Sequence, residues 1–351
     1  MQYRLLGRSG LSVSTLALGT MTFGDSTSQA EAFAQLDAFA EAGGTLIDTA
    51  DVYMNGAAET IVGRWLAERP AHVSEAMVVA TKGRFPTSGE PNGQGASRRH
   101  LQRALDASLT RLGVDAVDLY QLHGWDPLTP VEETLSFLDD AVRAGKIRYS
   151  GLSNFTGWQL QKTADVADAL RLERPIAFQL QYNLVVREVE WELAPAADSA
   201  GLGLIAFSPL AGGVLTGKYR PDAQPAPDTR LAHPLFGPLF GAKTAQQRTW
   251  DVIDVLTRIA QERGVTPAQA ALAWVAARSG VSSVLIGART LQQLHANLAA
   301  DGLRLTAEET SLLDKASEPY VDYPYGPMAA GLRSRDVAGT PQFMAPPSNV
   351  G

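Results

Sequence analysis

Cysteine is absent from the chain. That excludes disulfides, a thiolate nucleophile and cysteine-ligated metal, and it fits a reducing compartment. No apolar run approaches the roughly 20 residues that a membrane span needs, and the opening Met1-Gln2-Tyr3-Arg4-Leu5-Leu6 lacks the long apolar core of a signal peptide. A cytoplasmic location without membrane contact is therefore expected. Basic charge is also scarce: 30 Lys and Arg stand against 37 Asp and Glu, a net charge of -7. A nucleic-acid surface would need a basic excess, so Arg98-Arg99 reads as a solvated helix face. No resident metal is expected.

Apolar residues are plentiful, at 45% of 351, enough for a substantial core. They fall into short continuous runs that alternate with helical spacing. A loose alternation over residues 3–14, turning at Arg8-Ser9-Gly10, predicts a small N-terminal β-hairpin. After it come a strand at 15–20 and a helix at 28–42, then strands at 45–48, 77–81, 117–122, 147–152 and 176–180. Each of these five precedes a helix, at 57–68, 97–112, 131–144, 158–170 and 190–200. Strands at 204–207 and 281–286 complete eight. Continuous apolar strands suit a parallel sheet covered by helices on its faces. Eight strand-helix units predict a (β/α)8 TIM barrel over about residues 15–300, with extra length in the hairpin, the loop 218–243, further helix and a C-terminal helix and tail at 306–351. An open doubly wound sheet is the alternative architecture. No linker divides the chain, so a single domain over 1–351 is expected.

In such a barrel the carboxyl ends of the strands share one rim, where active sites are built. The stretch Thr45-Leu46-Ile47-Asp48-Thr49-Ala50-Asp51-Val52-Tyr53 ends one apolar run in an acid and reaches a tyrosine; Lys82 and His123 end the next two runs. Together they suggest a proton-delivery site. A tyrosine near its reference pKa of about 10 is a poor proton donor at neutral pH, and an adjacent ammonium stabilises its phenolate. Lys82 is placed to be that ammonium, Asp48 to hold it charged, Tyr53 to give the proton and His123 to donate a hydrogen bond to a substrate carbonyl. The chemistry is carbonyl reduction. A side chain cannot deliver hydride, so a nicotinamide cofactor is required.

Gly201-Leu202-Gly203-Leu204-Ile205-Ala206 matches the dinucleotide fingerprint as a string, but a helix precedes it and a strand follows, the wrong order. The better signal follows the seventh strand, where Ser208-Pro209-Leu210-Ala211-Gly212-Gly213 offers backbone amides for a pyrophosphate and Lys218 adds charge. After the eighth, Gly287-Ala288-Arg289-Thr290 leads into a helix with Gln293 and Asn297 on one face, and Arg289 suits a 2′-phosphate or an adenine ring. Met21, Phe23, Met54, Phe85 and Trp125 follow strand ends and form a candidate apolar substrate pocket with Tyr53 and His123 at its floor.

These residues, in this order, resemble the aldo-keto reductase family: Asp48 to Tyr53, Thr81-Lys82, Leu122-His123, Gly151-Leu152-Ser153-Asn154-Phe155, Phe207-Ser208-Pro209-Leu210 and Ile286-Gly287-Ala288-Arg289. Leu6-Gly7-Arg8-Ser9-Gly10-Leu11 and Leu215-Thr216-Gly217-Lys218-Tyr219 look like the bacterial branch that also resembles potassium-channel β subunits. The resemblance implies NADPH/NADP+ as cofactor, with Gly19, Thr20 and Asp48 among the residues lining its site. Ser153, Asn154 and Gln179 would bind the nicotinamide carboxamide, and Phe207, where many members have tyrosine, would stack on the ring. Ser208, Pro209, Leu210, Gly212 and Lys218 would take the pyrophosphate; Gly287, Arg289, Gln293 and Asn297 would take the adenosine end. The resemblance also keeps open a second class of function, a cofactor-binding regulatory subunit with little turnover. The substrate beyond a small carbonyl compound, and the number of subunits, are left open.

Overall fold

The structure is a computed structural model that describes residues 1–221, 223–227, 229–233, 237–321 and 323–326, with nothing stated of the Leu239 side chain. The chain divides into two compact units, Met1–Ser317 and Glu318–Gly351. Most of the expected C-terminal tail lies outside the described residues, as do Asp222 and Asp228 of the loop after Lys218.

Eight strands of the first unit, all parallel to their neighbours, close into a barrel. They are β3 (Leu16–Gly19), β4 (Leu46–Asp48), β5 (Val78–Gly83), β6 (Val117–Leu122), β7 (Ile147–Ser153), β8 (Ala177–Gln181), β9 (Gly203–Phe207) and β10 (Val281–Ile286). The hairpin is β1 (Tyr3–Leu5) against β2 (Ser12–Ser14), a separate antiparallel pair. The helices that cover the barrel include α1 (Gln29–Glu41), α2 (Ala57–Glu68), the short α3 (Ala71–Ser74), α4 (Arg98–Leu112), α5 (Val131–Arg143) and α6 (Gly157–Leu170). Further along are α7 (Leu193–Ala200), α8 (Gly237–Thr244), α9 (Gln247–Glu262), α10 (Pro267–Ala276), α11 (Leu291–Leu298) and α12 (Ala307–Ala316).

Local chemistry sets many of these boundaries. Ser28, Ser97, Thr266, Thr290 and Thr306 each accept a backbone N–H at a helix start, and Gln269 and Glu309 close the reciprocal bond. α7 begins at Leu193, with residues 188–190 a separate 3₁₀ turn, rather than running from 190. Pro195 explains it: proline has no N–H to donate and fits only the first turn, so the helix cannot start much earlier. The expected loop 218–243 is likewise cut short by α8, whose second residue is Pro238. Gly201 ends α7 with φ +75° and Gly203 opens β9, so the G-x-G string joins a helix to a strand and not the reverse.

Two cores result. The large one lies between strands and helices and includes Trp65, Trp274, Tyr120 and Phe39. The small one fills the barrel with Ala17, Leu46, Val78, Ala80, Leu119, Ala177, Ile205 and Leu285, and Leu6 and Val13 of the hairpin join it. A Cβ on Gly203 would lie 2.3 Å from Gly7 N, so the hairpin seats directly against the start of β9. The hairpin thus plugs the amino end of the barrel and leaves the carboxyl end as the mouth.

Candidate active site

Side chains along a strand alternate, so two residues beyond each apolar interior position comes another inward-facing one. Leu46 leads to Asp48, Ala80 to Lys82, Leu119 to Gln121, Ala177 to Gln179 and Ile205 to Phe207. By the same step Ala17 leads to Gly19 and Leu285 to Gly287. The interior therefore ends in a polar layer with a gap where β3 and β10 adjoin. A Cβ on Gly287 would meet nothing within 4 Å, and one on Gly19 only Ile286 O at 3.7 Å.

Lys82 is fully buried, and its Nζ donates to Asp48 Oδ2 at 2.5 Å, Thr49 O at 2.8 Å and Tyr53 Oη at 3.3 Å. All three ammonium protons are used. Burial alone would depress its pKa, but Asp48 and the Tyr53 oxygen overcome that and hold it above the usual lysine value. Asp48 Oδ1 accepts from Gln121 Nε2 at 3.1 Å and Gln179 Nε2 at 2.8 Å. The carboxylate is thus held by donors from β5, β6 and β8.

Tyr53 is positioned by the turn Tyr53–Gly56, in which Met54 and Asn55 have φ of 47° and 53° and Gly56 has φ +88°. Such consecutive left-handed residues are costly outside glycine and hold the ring in one place. The ammonium lowers the Tyr53 pKa as expected from sequence, but burial outweighs it and the net direction is up, with Asp48 and Asp51 adding to the rise. The proton therefore stays on Tyr53 at neutral pH. His123 meets the Tyr53 ring with centroids 6.0 Å apart, and Phe85 stands edge-on to it at 4.6 Å. Its Nδ1 is buried without a partner. Burial first, then the charges of Lys82 and Arg84, push its pKa down to about 2.

Asp48, Tyr53, Lys82 and His123 are thus brought together. Of the expected cofactor residues, Ser153 and Asn154 lie beside them: Asn154 Nδ2 donates to Ser153 Oγ at 3.1 Å and to His123 O at 3.0 Å, tying two loops. Thr20 is fully buried and bonds Asp48 O through both its N–H, at 3.0 Å, and its hydroxyl, at 3.1 Å. Its contact holds the Asp48 backbone. Gln293 Oε1 accepts Arg289 N–H at 3.0 Å, and Asn297 Nδ2 donates to Gly287 O at 3.3 Å, so these two brace the turn that carries Arg289. Ser208, Ala211, Gly212 and Gly213 have φ of 50°, 49°, 67° and 96°. A run of left-handed backbone makes a concavity suited to anions, and Lys218 Nζ lies where a Cβ on Gly213 would be 3.1 Å away.

The residues expected at the substrate pocket differ in burial. Phe23 is fully buried in the main core and packs there, not at the mouth, because its turn folds back on Thr20 through a 2.9 Å backbone bond. Trp125 is half-buried and meets Phe155 at 5.4 Å and Trp158 at 5.5 Å; Met21 is half-buried and Met54 exposed.

Sequence reasoning missed Gln121, which the inward phase of Leu119 would have found. It also missed Trp158 and Arg230. The Arg230 guanidinium is held below its usual pKa by burial and then by the neighbouring charge of Arg289, with Tyr219 and Tyr53 opposing. Two cations drawn together over the site suit a phosphate, but a proline-rich loop carries no periodicity to announce one.

A closed parallel barrel with an acid, tyrosine, lysine and histidine at its mouth defines an oxidoreductase class. The chain belongs to the aldo/keto reductase family, whose pattern matches residues 15–318. It is 41% identical over 302 residues to a probable voltage-gated potassium channel subunit beta of Oryza sativa subsp. japonica, covering 86% of this chain and 91% of that one. Protein tas of Escherichia coli (strain K12) is 35% identical over 352 residues, covering 92% and 99%. L-glyceraldehyde 3-phosphate reductase of the same strain is 35% identical over 322 residues, covering 90% and 92%. No helix among the described residues is long and apolar enough to cross a membrane.

Proposed function

We propose that this protein is an NADPH-dependent reductase of small aldehydes or ketones, acting reversibly on the alcohols in the cytoplasm. The observation that carries it is the Lys82 ammonium between Asp48 Oδ2 at 2.5 Å and Tyr53 Oη at 3.3 Å. The nicotinamide supplies the hydride when bound. Tyr53 gives its proton to the carbonyl oxygen as negative charge develops there, and Lys82 stabilises the phenolate left behind. Asp48 keeps Lys82 charged and aimed. With Nδ1 buried and lacking an acceptor, the His123 proton is assigned to Nε2, which donates to the same carbonyl oxygen.

The residues present suit a phosphorylated dinucleotide. The gap at Gly19 and Gly287, flanked by Phe207, suits a flat ring, and Ser153, Asn154 and the Gln179 side-chain carbonyl would hold its carboxamide. Ser208, Pro209, Leu210, Gly212 and Lys218 would hold the pyrophosphate, and Arg289 with Arg230 the 2′-phosphate. Tyr53, Phe85, His123 and Trp125 would hold the substrate.

Tyr53→Phe tests the reading: NADPH binding and the fold persist, while carbonyl reduction falls by at least about 100-fold. Turnover near wild type would assign the proton to another group. The relative named as a probable channel subunit supports a second reading, a cofactor-binding regulatory subunit. Tight NADPH binding with no loss of its absorbance across a broad carbonyl panel, phosphorylated aldehydes included, would favour that one.

A further inference from the structure

One carboxyl group beside the tetrad is not used by it. Asp51 lies between Asp48 and Tyr53 in the chain and is 2% exposed, yet neither Oδ1 nor Oδ2 has a hydrogen-bond partner. Its backbone N–H donates to Lys82 O at 3.0 Å, which fixes it against β5. The groups that act on it electrostatically are Glu59 from α2, Arg111 from α4, the backbone N–H of Val52 and Lys82 from β5. Tyr120 from β6, whose buried hydroxyl is also unpartnered, and Tyr53 itself feel its charge in turn.

The charges in this cluster do not balance. Asp48 is matched by Lys82 at 2.5 Å. Glu59, fully buried, is matched by Arg111 at 2.6 Å and takes the Thr81 hydroxyl at 2.5 Å on its other oxygen. Asp51 is the odd carboxyl. A buried carboxylate with no cation of its own and only the adjacent Val52 N–H turned toward it is strongly disfavoured, and burial, then the charge of Glu59, pushes Asp51 up to about 7.

We propose that Asp51 is a positioning residue for the proton transfer, a buried carboxyl whose charge state sets how readily Tyr53 gives up its proton. The inference rests on Tyr53 being the proton donor. When Asp51 is neutral, Lys82 acts on the forming phenolate with little opposition. When Asp51 is ionised, its negative charge opposes the phenolate and offsets part of the ammonium. For a unit charge several ångströms away at an effective dielectric near 20, acting on the roughly half-developed charge of the transition state, that opposition slows carbonyl reduction roughly tenfold.

The test compares wild type with Asp51→Asn in two measurements over pH 5 to 9. The wild-type rate of carbonyl reduction at saturating NADPH should fall roughly tenfold across about pH 7, and the variant's rate should show no such inflection. The second measurement needs no turnover. A carboxyl whose folded pKa is raised from 3.8 to about 7 contributes stability that is full below the lower value and lost as pH rises through the upper one. Against Asp51→Asn, wild type should therefore lose stability from about pH 4 to 7 and lose no more above it.

An inflection shared by both proteins would show that another group titrates, and would overturn the proposal. So would a stability difference that is flat across that window, or one that changes while the two rate profiles stay parallel. Should Asp51→Asn fail to fold, Glu59→Gln serves: removing the neighbouring charge should move the inflection to lower pH, and an unmoved inflection would overturn the proposal. Tyr53→Phe separates the two layers, since turnover retained there sinks the donor assignment while the stability measurement still reports on Asp51.

Discussion

Gln179 Nε2 donates to Asp48 Oδ1 across 2.8 Å, so two residues 131 positions apart in the chain meet in the barrel mouth. With Gln121 on the same oxygen and Lys82 on the other, the carboxylate is oriented from three strands at once. Under the proposed function this arrangement gives Gln179 two duties. Its amide nitrogen orients Asp48, which leaves its carbonyl oxygen as the group able to accept from a nicotinamide carboxamide.

Asp48→Ala should therefore damage more than one bond. It leaves the Lys82 ammonium fully buried without a counter-charge and strips both glutamine amides of an acceptor. Breaking a buried pair from one side costs about 3–5 kcal/mol. Urea unfolding should show a loss of that size, with Lys82→Met and Asp48→Ala combined less unstable than the sum of the two. A loss within about 0.5 kcal/mol, the range of an ordinary surface substitution, would show that Lys82 is neutral in the folded protein.

His123 makes an acid-side prediction. Its pKa is pushed down to about 2 by burial and by Lys82 and Arg84, so the imidazole should stay neutral from pH 8 down to pH 4 in ring ¹⁵N spectra. For this depressed group the unfolded chain binds the proton first. Stability is full above the ordinary histidine value of 6.5 and falls as pH drops from there toward the folded value. His123→Asn should remove that part of the acid sensitivity, and Arg84→Met should raise the His123 pKa. An imidazolium signal in wild type at pH 6 would contradict both.

The legible part of this molecule was whatever repeats or ends a run. Strand-helix alternation announced the barrel, because each parallel strand is buried on both faces and reads as an apolar block. Lys82 and His123 were visible because they close such blocks. Gln121 was hidden inside one, one residue before its end, and needed the inward phase set by Leu119. Phe23 is the opposite case: its place after a strand end points toward the mouth, while a tight turn at Thr20 carries it into the core. Asp51 stands openly between Asp48 and Tyr53, but only folding reveals that Glu59 and Arg111 pair with each other and leave it out. Arg230 could not be read, since its meaning depends on Arg289 lying nearby.

Those two arginines predict a cofactor preference. Arg230 is depressed by burial and by the charge of Arg289, so an anion placed with them relieves a repulsion as well as forming charge-assisted bonds. Arg289→Ala should weaken NADPH binding by about tenfold or more while NADH changes little, since a hydrogen bond to a charged group is worth roughly 1.5–3 kcal/mol. Calorimetric titration with each nucleotide decides it. Equal losses for both would move Arg289 away from the 2′-phosphate.

At the rim, Trp158 is 56% exposed and stands edge-on to Trp125 with centroids 5.5 Å apart. A large aromatic kept in water beside the site offers a face to the part of a substrate that projects from the mouth. Aromatic pairs contribute about 0.5–1.5 kcal/mol beyond area burial, so Trp158→Ala should raise KM for aryl aldehydes by about 2- to 10-fold and leave short aliphatic aldehydes unchanged. The turnover number should hold for both, because Trp158 packs on Trp125 and takes no part in the bonds that join Lys82 to Asp48 and Tyr53. A uniform rise in KM for both classes would mean that Trp158 only props Trp125 in place, and Trp158→Phe, which keeps the edge-to-face contact, should then restore binding fully.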